Sequence, residues 1–149
     1  MKATASTTQP LTFKSVTARP VVLKLARPIV ARIATMTEWP IILIDLYTRE
    51  GIVGRSYLEP YTTKTMKYLI PALDDFGEML SGHPVTPLEL FSVARKSLHF
   101  VGYQGLSMIA VSGLDMAAWD ALAKAAGMPL CVLLGGSAGT VRAYNSNGL

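Results

Sequence analysis

The longest helical pattern in the chain is the feature that most limits how it folds. Residues 106–126 contain no proline and a single glycine, Gly113, among residues that are mostly strong helix formers. Apolar side chains recur on almost every side of this predicted helix, which is typical of a helix that is buried on more than one side. Gly127 supplies a left-handed cap and Pro129 follows it, so the helix is expected to end there. The rest of the chain must therefore pack around this helix.

Three charged residues interrupt the helix: Asp115, Asp120 and Lys124. The two aspartates are five residues apart and point in directions roughly 140° apart on a helix of 3.6 residues per turn. They are thus unsuited to act as a pair on one substrate. Asp120 and Lys124 have the i, i+4 spacing of a helix ion pair. We interpret both aspartates as structural.

The same region resembles a family signature. The sequence AVSGLDMAAWDALAK at residues 110–124, followed by Pro129-Leu130 and by Leu-Leu-Gly at 133–135, resembles the signature of the mandelate racemase/muconate lactonizing enzymes, a family of the enolase superfamily. The segments at 57–62 and 102–106 resemble mandelate racemase more closely than muconate cycloisomerase. The resemblance implies an α+β capping domain that precedes a catalytic barrel.

Composition limits the remaining choices. The chain has 149 residues, 50% of them hydrophobic and 16% charged, which suffices for one globular domain with a core. Such an apolar chain is expected to bury surface against another domain or subunit, and we expect a homo-oligomer. No apolar segment approaches the length of a membrane-spanning helix, and the polar N-terminus lacks a hydrophobic core, so we expect no membrane span and no secretory signal. Because Lys and Arg are spread singly along a chain of net charge +4, we expect no nucleic-acid partner. The single cysteine, Cys131, excludes an internal disulfide and favours a cytoplasmic location; we expect it to be a buried, inert thiol.

The first part of the chain predicts an antiparallel meander. Residues 11–25 alternate like a strand, with Pro20 indicating an edge position or a bulge. Residues 26–39 have no clean period and are predicted to form a long loop. Residues 40–48 and 52–58 predict a hairpin closed by a short turn.

Helices are predicted to follow. One is capped by Thr62 or Thr63 and reaches about residue 81, bent or split by Pro71. Another opens with a capping box at residues 86–89 and reaches about residue 99. The fold class is therefore α+β, a three-stranded antiparallel meander followed by a helical bundle.

We predict three segments: a disordered lead-in at residues 1–10, an enolase-type capping domain at 11–139, and the first strand of a C-terminal barrel at 140–149. A barrel of this type takes about 250 residues. The chain is therefore expected to be part of a longer enzyme, with the barrel as the partner of this domain.

The resemblance implies that the chemistry lies in that barrel. There, lysine and histidine bases remove the proton α to a carboxylate, and three acidic residues bind Mg²⁺ or a similar ion that stabilises the enediolate. We predict no catalytic residue and no metal ligand in this chain. His83 and His99 lack acidic neighbours at ligand spacing, and the glycine-rich segment at 135–139 is interpreted as a connector.

The resemblance also implies that two loops of this domain, at residues 26–39 and 57–61, cover the mouth of the barrel. It assigns Ile29 to an apolar pocket, Tyr61 to an aromatic contact and Ser146 to the carboxyl end of the first barrel strand. In the alternative interpretation, Ile29 anchors its loop, Tyr61 packs on the next helix and Ser146 caps its loop. The first loop also departs from the family pattern at three positions, and this puts mandelate itself in question as the substrate: Arg32, Glu38 and Trp39.

These observations lead to one main hypothesis and two alternatives. The main one is the specificity domain of a mandelate-racemase-like enzyme acting on a small hydroxy-acid carboxylate. The first alternative is a sugar-acid dehydratase of the same superfamily, since both reactions begin with the same enolate. The second is a non-catalytic module that acts through its apolar surface.

Overall fold

A computed structural model describes residues 10–144 of the chain. It has the predicted α+β architecture, in which a three-stranded antiparallel sheet of order β1-β2-β3 precedes four helices. The elements are β1 (Phe13–Ala31), β2 (Ala34–Thr48), β3 (Val53–Leu58), α1 (Thr63–Leu80), α2 (Pro87–Ser97), α3 (Leu106–Ala125) and α4 (Leu130–Leu133).

Helix α3 is the centre of the domain, as its apolar pattern predicts. It contacts β2 and β3 on one side and α1, α2 and α4 on others. Alternate residues of β2 point toward the helices, and Ile42, Ile44 and Leu46 are fully buried there. Because helices cover α3 where the sheet does not, apolar side chains on almost every side of it have a neighbouring element to pack against.

Two glycines let α3 lie unusually close to the sheet. A Cβ atom at Gly113 would be 2.6 Å from the Cδ1 of Ile44 and 2.9 Å from the Cδ1 of Leu58. A Cβ atom at Gly54 of β3 would overlap the carbonyl oxygen of Ala117 and lie 2.8 Å from the Cβ of Ala121. The small residues of α3 and the glycine of β3 thus set the distance between the two layers.

Helix α3 also has the length and composition of a membrane-spanning helix, with a mean hydropathy of 1.3. It is the one helix between residues 10 and 144 that passes this test. Our expectation that no apolar segment approaches this length was therefore too strict. Its contacts with the sheet and with three helices give its apolar character a simpler cause, since core helices pass the same test.

The prediction of a long loop at residues 26–39 is wrong. β1 and β2 continue through it as a two-stranded ribbon that turns at Arg32-Ile33, with Ala31 paired to Ala34. The register shifts between Lys24 and Ile29, and this irregularity accommodates Pro28. Strand β1 lies at the sheet edge, where a proline loses no hydrogen bond to a neighbouring strand.

The helix starts agree with prediction in position, with one difference in chemistry. Thr62 caps α1, its Oγ1 accepting a hydrogen bond from the N–H of Thr65, and the helix continues through Pro71. Thr86 occupies the N-cap position of α2, but its hydroxyl donates to the Glu89 carboxylate at 2.8 Å instead of capping a backbone N–H.

The prediction of a buried thiol is wrong. Cys131 is exposed, because α4 is a single short turn whose outer side has no covering element within residues 10–144.

The first barrel strand stays a prediction. Residues 140–144 have no neighbouring strand here, and its partners would lie in the barrel. The predicted strand continues to residue 146, which lies outside the described residues.

Candidate substrate-binding site

The β1–β2 ribbon and the β3–α1 turn lie at the same end of the sheet. β3 runs parallel in direction to β1, so the chain leaves β3 at the end from which the ribbon projects. β3 pairs with β2 only as far as Ile42, and β2 residues nearer the hairpin turn pair with β1 alone. These are the two segments that the resemblance assigns to the mouth of the barrel.

The ribbon is exposed on both sides. Ile29 is paired with Met36 and is exposed, and Ile33 at the turn is 94% exposed. A lone two-stranded ribbon is at best marginally stable in water, so an exposed apolar ribbon of this length indicates a surface that is covered when the protein works. Arg27 and Arg32 accompany the apolar residues and favour an anionic ligand, whereas Lys24 lies opposite Glu38 in the register of the strands.

Tyr61 has a strained backbone. Its φ is 62°, and it is the one non-glycine residue with positive φ among residues 10–144. The N–H of Thr62 donates to the carbonyl of Pro60 at 2.7 Å, which closes a three-residue turn centred on Tyr61. The side chain is 66% exposed, so little of it packs on α1, the helix named in the alternative interpretation.

Thr65 holds this turn in place. Its hydroxyl lies within hydrogen-bonding distance of the carbonyls of Thr62, at 2.6 Å, and of Pro60. Pro60 itself is buried. Strained residues persist when the surrounding structure fixes them, and they concentrate at functional sites. Among the predicted contacts in the described chain, Tyr61 is therefore the one with the most distinctive backbone geometry.

The structure separates the three predicted contacts. Ile29 is paired with Met36, six residues along β2 from Ile42, where the third strand ends. Six residues of extended strand span roughly 20 Å, so Ile29 and Tyr61 share an end of the sheet without being neighbours along it. Ser146 lies outside the described residues.

An ion cluster that sequence reasoning missed lies on the sheet face away from the helices. The Asp45 carboxylate contacts Nη1 of Arg19 at 2.7 Å and Nε of Arg55 at 3.3 Å. Burial opposes ionisation of Asp45, but the hydrogen bond and charge of Arg19, together with Arg55, outweigh it and lower its pKa. In the register of the strands, Asp45 lies opposite Arg55 and next to Arg19. The sequence therefore reveals the ion cluster only once the strands are aligned.

The pKa of Asp115 is shifted in the opposite direction. It is half-buried on α3, and burial raises its pKa although a hydrogen bond from Trp119 acts against the rise. No ion pair to it is present in the described part of the chain.

The described residues offer little for metal binding. Across residues 10–144, no three His, Cys, Asp or Glu side chains are grouped so that they could hold a metal ion. Nδ1 of His99 is 2.8 Å from the Tyr103 hydroxyl, and the Tyr103 ring also lies under the Arg95 guanidinium. His83 is exposed in a turn.

Two solved structures resemble this fold closely. An enolase from the alpha proteobacterium BAL199 with bound magnesium is 67% identical, with a TM-score of 0.90 over 93% of this chain and 38% of its own. An enolase from Bradyrhizobium, complexed with magnesium and mandelic acid, is 40% identical, with a TM-score of 0.81 over 87% of this chain and 36% of its own.

A characterised relative extends the comparison to activity. The L-talarate/galactarate dehydratase of Salmonella typhimurium is 28% identical over 123 residues, which are 83% of this chain and 31% of the relative. The chain thus spans about a third of the length of the proteins that it matches.

The family itself is shown by a match over most of the chain. Residues 13–135 match the model of the mandelate racemase/muconate lactonizing enzyme N-terminal domain. The elements of that range, from β1 to α4, are the sheet and helices described above. The chain belongs to the mandelate racemase/muconate lactonizing enzyme family of the enolase superfamily.

Proposed function

We propose that this chain is the capping domain of a divalent-metal-dependent enzyme that removes the proton α to the carboxylate of a sugar acid and completes a dehydration. The observation that carries the proposal is the similarity to a named sugar-acid dehydratase over 83% of the chain. Dehydration of a hydroxy acid begins with the same α-proton removal as racemisation and differs in the loss of a β-hydroxyl.

The contribution of the described residues would be to bind and enclose the substrate. The ribbon carries Arg27 and Arg32, which favour approach of an anion, and Ile29, which supplies apolar contact. The Pro60–Thr62 turn presents Tyr61 at the same end of the sheet. Closing such segments over a substrate excludes water and orients the carboxylate toward the reacting groups.

The metal and the bases are assigned to the remainder of the full-length protein. Residues 10–144 contain no cluster of side chains fit for a metal ion, whereas both solved relatives above contain magnesium. When bound, such an ion supplies charge stabilisation to the enediolate. We assign no proton transfer to any residue of this chain.

Racemisation of a 2-hydroxy acid is the second candidate. The observation that favours it is the Bradyrhizobium enolase, which is 40% identical and was crystallised with mandelic acid. A crystallised complex reports binding, whereas the name of the Salmonella enzyme reports a reaction. We therefore place dehydration first.

The deciding experiment uses the full-length protein with Mg²⁺. It would be incubated with galactarate, talarate, galactonate, arabinonate and both mandelate enantiomers. Formation of 2-keto-3-deoxy acids would be followed colorimetrically, and loss of the α-proton signal in D₂O by NMR. A keto product from a sugar acid supports dehydration. Exchange on mandelate without a keto product from any sugar acid makes racemisation the function. Absence of exchange on every acid contradicts both dehydration and racemisation. The alternative of a non-catalytic interaction module then remains.

A further inference from the structure

Helix α2 carries a row of polar side chains to which the proposed function gives no role. Ser92, Arg95 and Lys96 are spaced i, i+3 and i+4, so they lie on one side of the helix in its second half. Beside this row a depression of about 330 Å³ opens, lined by Phe91, Ser92, Arg95, Lys96 and Tyr103. We call it the α2 depression.

The Arg95 side chain is held against an aromatic ring and lacks an anionic partner. Its guanidinium carbon lies 4.6 Å from the centroid of the Tyr103 ring. Such a contact gives the guanidinium N–H groups no oxygen acceptor. Within residues 10–144 no carboxylate lies at ion-pair distance from Arg95, whereas Arg19 and Arg55 both contact Asp45. The donors of Arg95 therefore remain for a ligand.

The Tyr103 ring is fixed from a second side. Its hydroxyl lies 2.8 Å from Nδ1 of His99, and the centroids of the two rings are 6.2 Å apart. The ring thus has a neighbour at its hydroxyl and another over its face. Because Arg95 packs on a ring that is already held, less side-chain freedom is lost when an anion binds to it.

Ser92 offers a hydroxyl donor to the same depression. Other helix serines use their hydroxyls locally: Ser97 donates to the carbonyl of Ala94 at 2.7 Å, and Ser112 to that of Ile109 at 2.8 Å. The Ser92 hydroxyl makes no such hydrogen bond to any described residue. It is half-buried at the wall of the depression, where a bound ligand would supply the missing acceptor.

The helix dipole alone does not account for this arrangement. Cations are favoured in the last turn of any helix, and this would explain the presence of Arg95 and Lys96. It explains neither the contact with Tyr103 nor the free hydroxyl of Ser92. The acidic residue of α2, Glu89, lies in the first turn and accepts a hydrogen bond from the Thr86 hydroxyl at 2.8 Å. It leaves the cationic end of the helix uncompensated.

We propose that the α2 depression binds a phosphate group, either free or esterified to a small molecule. The charges of Arg95 and Lys96 together balance a phosphate dianion, and the guanidinium, ammonium and Ser92 hydroxyl supply N–H and O–H donors to its oxygens. A carboxylate carries one charge and two oxygens and would use fewer of these donors. The Phe91 side chain offers apolar surface to the carbon part of an ester, and about 330 Å³ is at the lower end of the range for small-molecule sites.

The first test is equilibrium dialysis of the full-length protein with Mg²⁺ against orthophosphate and against glucose 6-phosphate. At about pH 7.5 both ligands are mainly dianions. Arg95→Gln and Lys96→Gln each remove a charge-assisted hydrogen bond and should raise the dissociation constant about 10-fold or more. Ser92→Ala should raise it several-fold. Tighter binding of the ester would identify a phosphorylated small molecule as the ligand, and equal binding would identify free phosphate.

Two control variants separate this site from other cations. Lys64→Gln removes an exposed charge from α1, and Arg27→Gln removes one from the ribbon; neither should change the dissociation constant. A wild-type protein that binds neither ligand would overturn the proposal. So would equal dissociation constants for Arg95→Gln and Lys64→Gln, since the phosphate would then bind elsewhere. Loss of binding in Arg27→Gln alone would place the phosphate at the ribbon and also reject the α2 depression.

The second test uses the wild-type protein and does not depend on the folding of a variant. Lysines of the full-length protein would be acetylated with acetic anhydride in saturating orthophosphate and in sodium chloride of equal ionic strength, and the modified positions identified by mass spectrometry. We expect phosphate to slow acetylation of Lys96 several-fold and to leave Lys64 unchanged. Equal rates at Lys96 in the two salts would overturn the proposal.

Discussion

The Asp120 carboxylate of α3 accepts a hydrogen bond from the backbone N–H of Arg55 of β3 at 2.7 Å. One helical turn later, the Lys124 ammonium contacts the same carboxylate at 2.6 Å and donates to the carbonyl of Val53 at 2.8 Å. The ion pair predicted from the i, i+4 spacing is confirmed. Because β3 is an edge strand, these side chains satisfy backbone groups that have no neighbouring strand. This part of the family signature secures the sheet against its central helix.

Removal of the Asp120 carboxylate should destabilise the domain. Asp120→Ala leaves the Arg55 N–H without its acceptor and Lys124 without its partner, so we expect a loss of about 2 kcal/mol in the free energy of unfolding. Asp120→Asn keeps an acceptor and should cost less. Urea unfolding of the 149-residue chain measures both, with Asp74→Ala on the exposed side of α1 as control. Equal losses in Asp120→Ala and in the control would contradict the assignment.

Gly54 should tolerate no side chain. In Gly54→Ala the new methyl group overlaps the Ala117 carbonyl and lies 2.8 Å from the Cβ of Ala121, both on a helix held by the core. We expect a loss of about 3 kcal/mol or more, at the upper end of overpacking effects. Gly139→Ala is the matched control, because no atom lies within 4 Å of its Cβ position. Thermal unfolding followed by circular dichroism distinguishes them; similar melting temperatures would mean that α3 moves away from β3 at little cost.

The sequence predicted those parts of the fold that depend on local pattern. α3 was predictable because its helix propensity, its apolar composition and its end signals all agree within a single segment. The hairpin of β2 and β3 was predictable because β-branched and apolar residues flank a short polar turn.

The ribbon and the strained turn could not be predicted in this way. The ribbon forms because residues of β1 and β2 pair across the hairpin. Pro28 interrupts the strand pattern in the sequence, and the register shift that accommodates it is visible only once the strands are paired. The positive φ of Tyr61 depends on contacts of Pro60, Thr62 and Thr65 that no single-residue preference encodes. The exposure of Cys131 likewise depends on what packs against α4, which its apolar neighbours in sequence do not reveal.

Asp45 should make stability depend on pH. Its pKa in the folded protein is lowered from the ordinary value of 3.8, so the ion cluster stabilises the fold above that pH. The stabilisation is lost as the pH falls through the lowered pKa, where the folded carboxylate is protonated. We therefore expect the difference in free energy of unfolding between wild type and Asp45→Asn to be large at about pH 7 and to shrink toward about pH 3. Guanidinium unfolding at a series of pH values measures it.

Asp115 provides a control of opposite sign for the same titration. Burial raises its pKa above 3.8, so ionisation disfavours the fold as the pH rises from that value through the folded pKa. Asp115→Asn should gain stability relative to wild type as the pH rises. If the stability differences of the two variants from wild type changed with pH in the same direction, the opposite environments that the structure assigns to these carboxylates would be wrong.

Ile29 should affect catalysis more than an exposed leucine outside the ribbon does. If the ribbon covers the substrate as proposed, Ile29→Ala in the full-length protein loses apolar contact, and kcat/KM falls about 10-fold or more. Leu88→Ala truncates a side chain of α2 that is 75% exposed and should change kcat/KM little. The comparison uses the best substrate from the screen. An Ile29→Ala enzyme as active as Leu88→Ala would mean that Ile29 makes no contact with the substrate.

Replacement of Tyr61 by glycine should lower activity without lowering stability. Tyr61→Gly relieves a backbone with φ of 62°, a gain that the larger entropy of an unfolded glycine partly offsets. The free energy of unfolding should therefore remain within about 1 kcal/mol of wild type or rise. The side chain is lost, so kcat/KM should fall at least about 10-fold. Tyr68→Ala, which truncates an exposed tyrosine of α1, should leave kcat/KM unchanged. A Tyr61→Gly enzyme with full activity would show that the strain serves only to join β3 to α1. Lower activity at undiminished stability would instead mean that the turn is strained because it must present this side chain to the substrate.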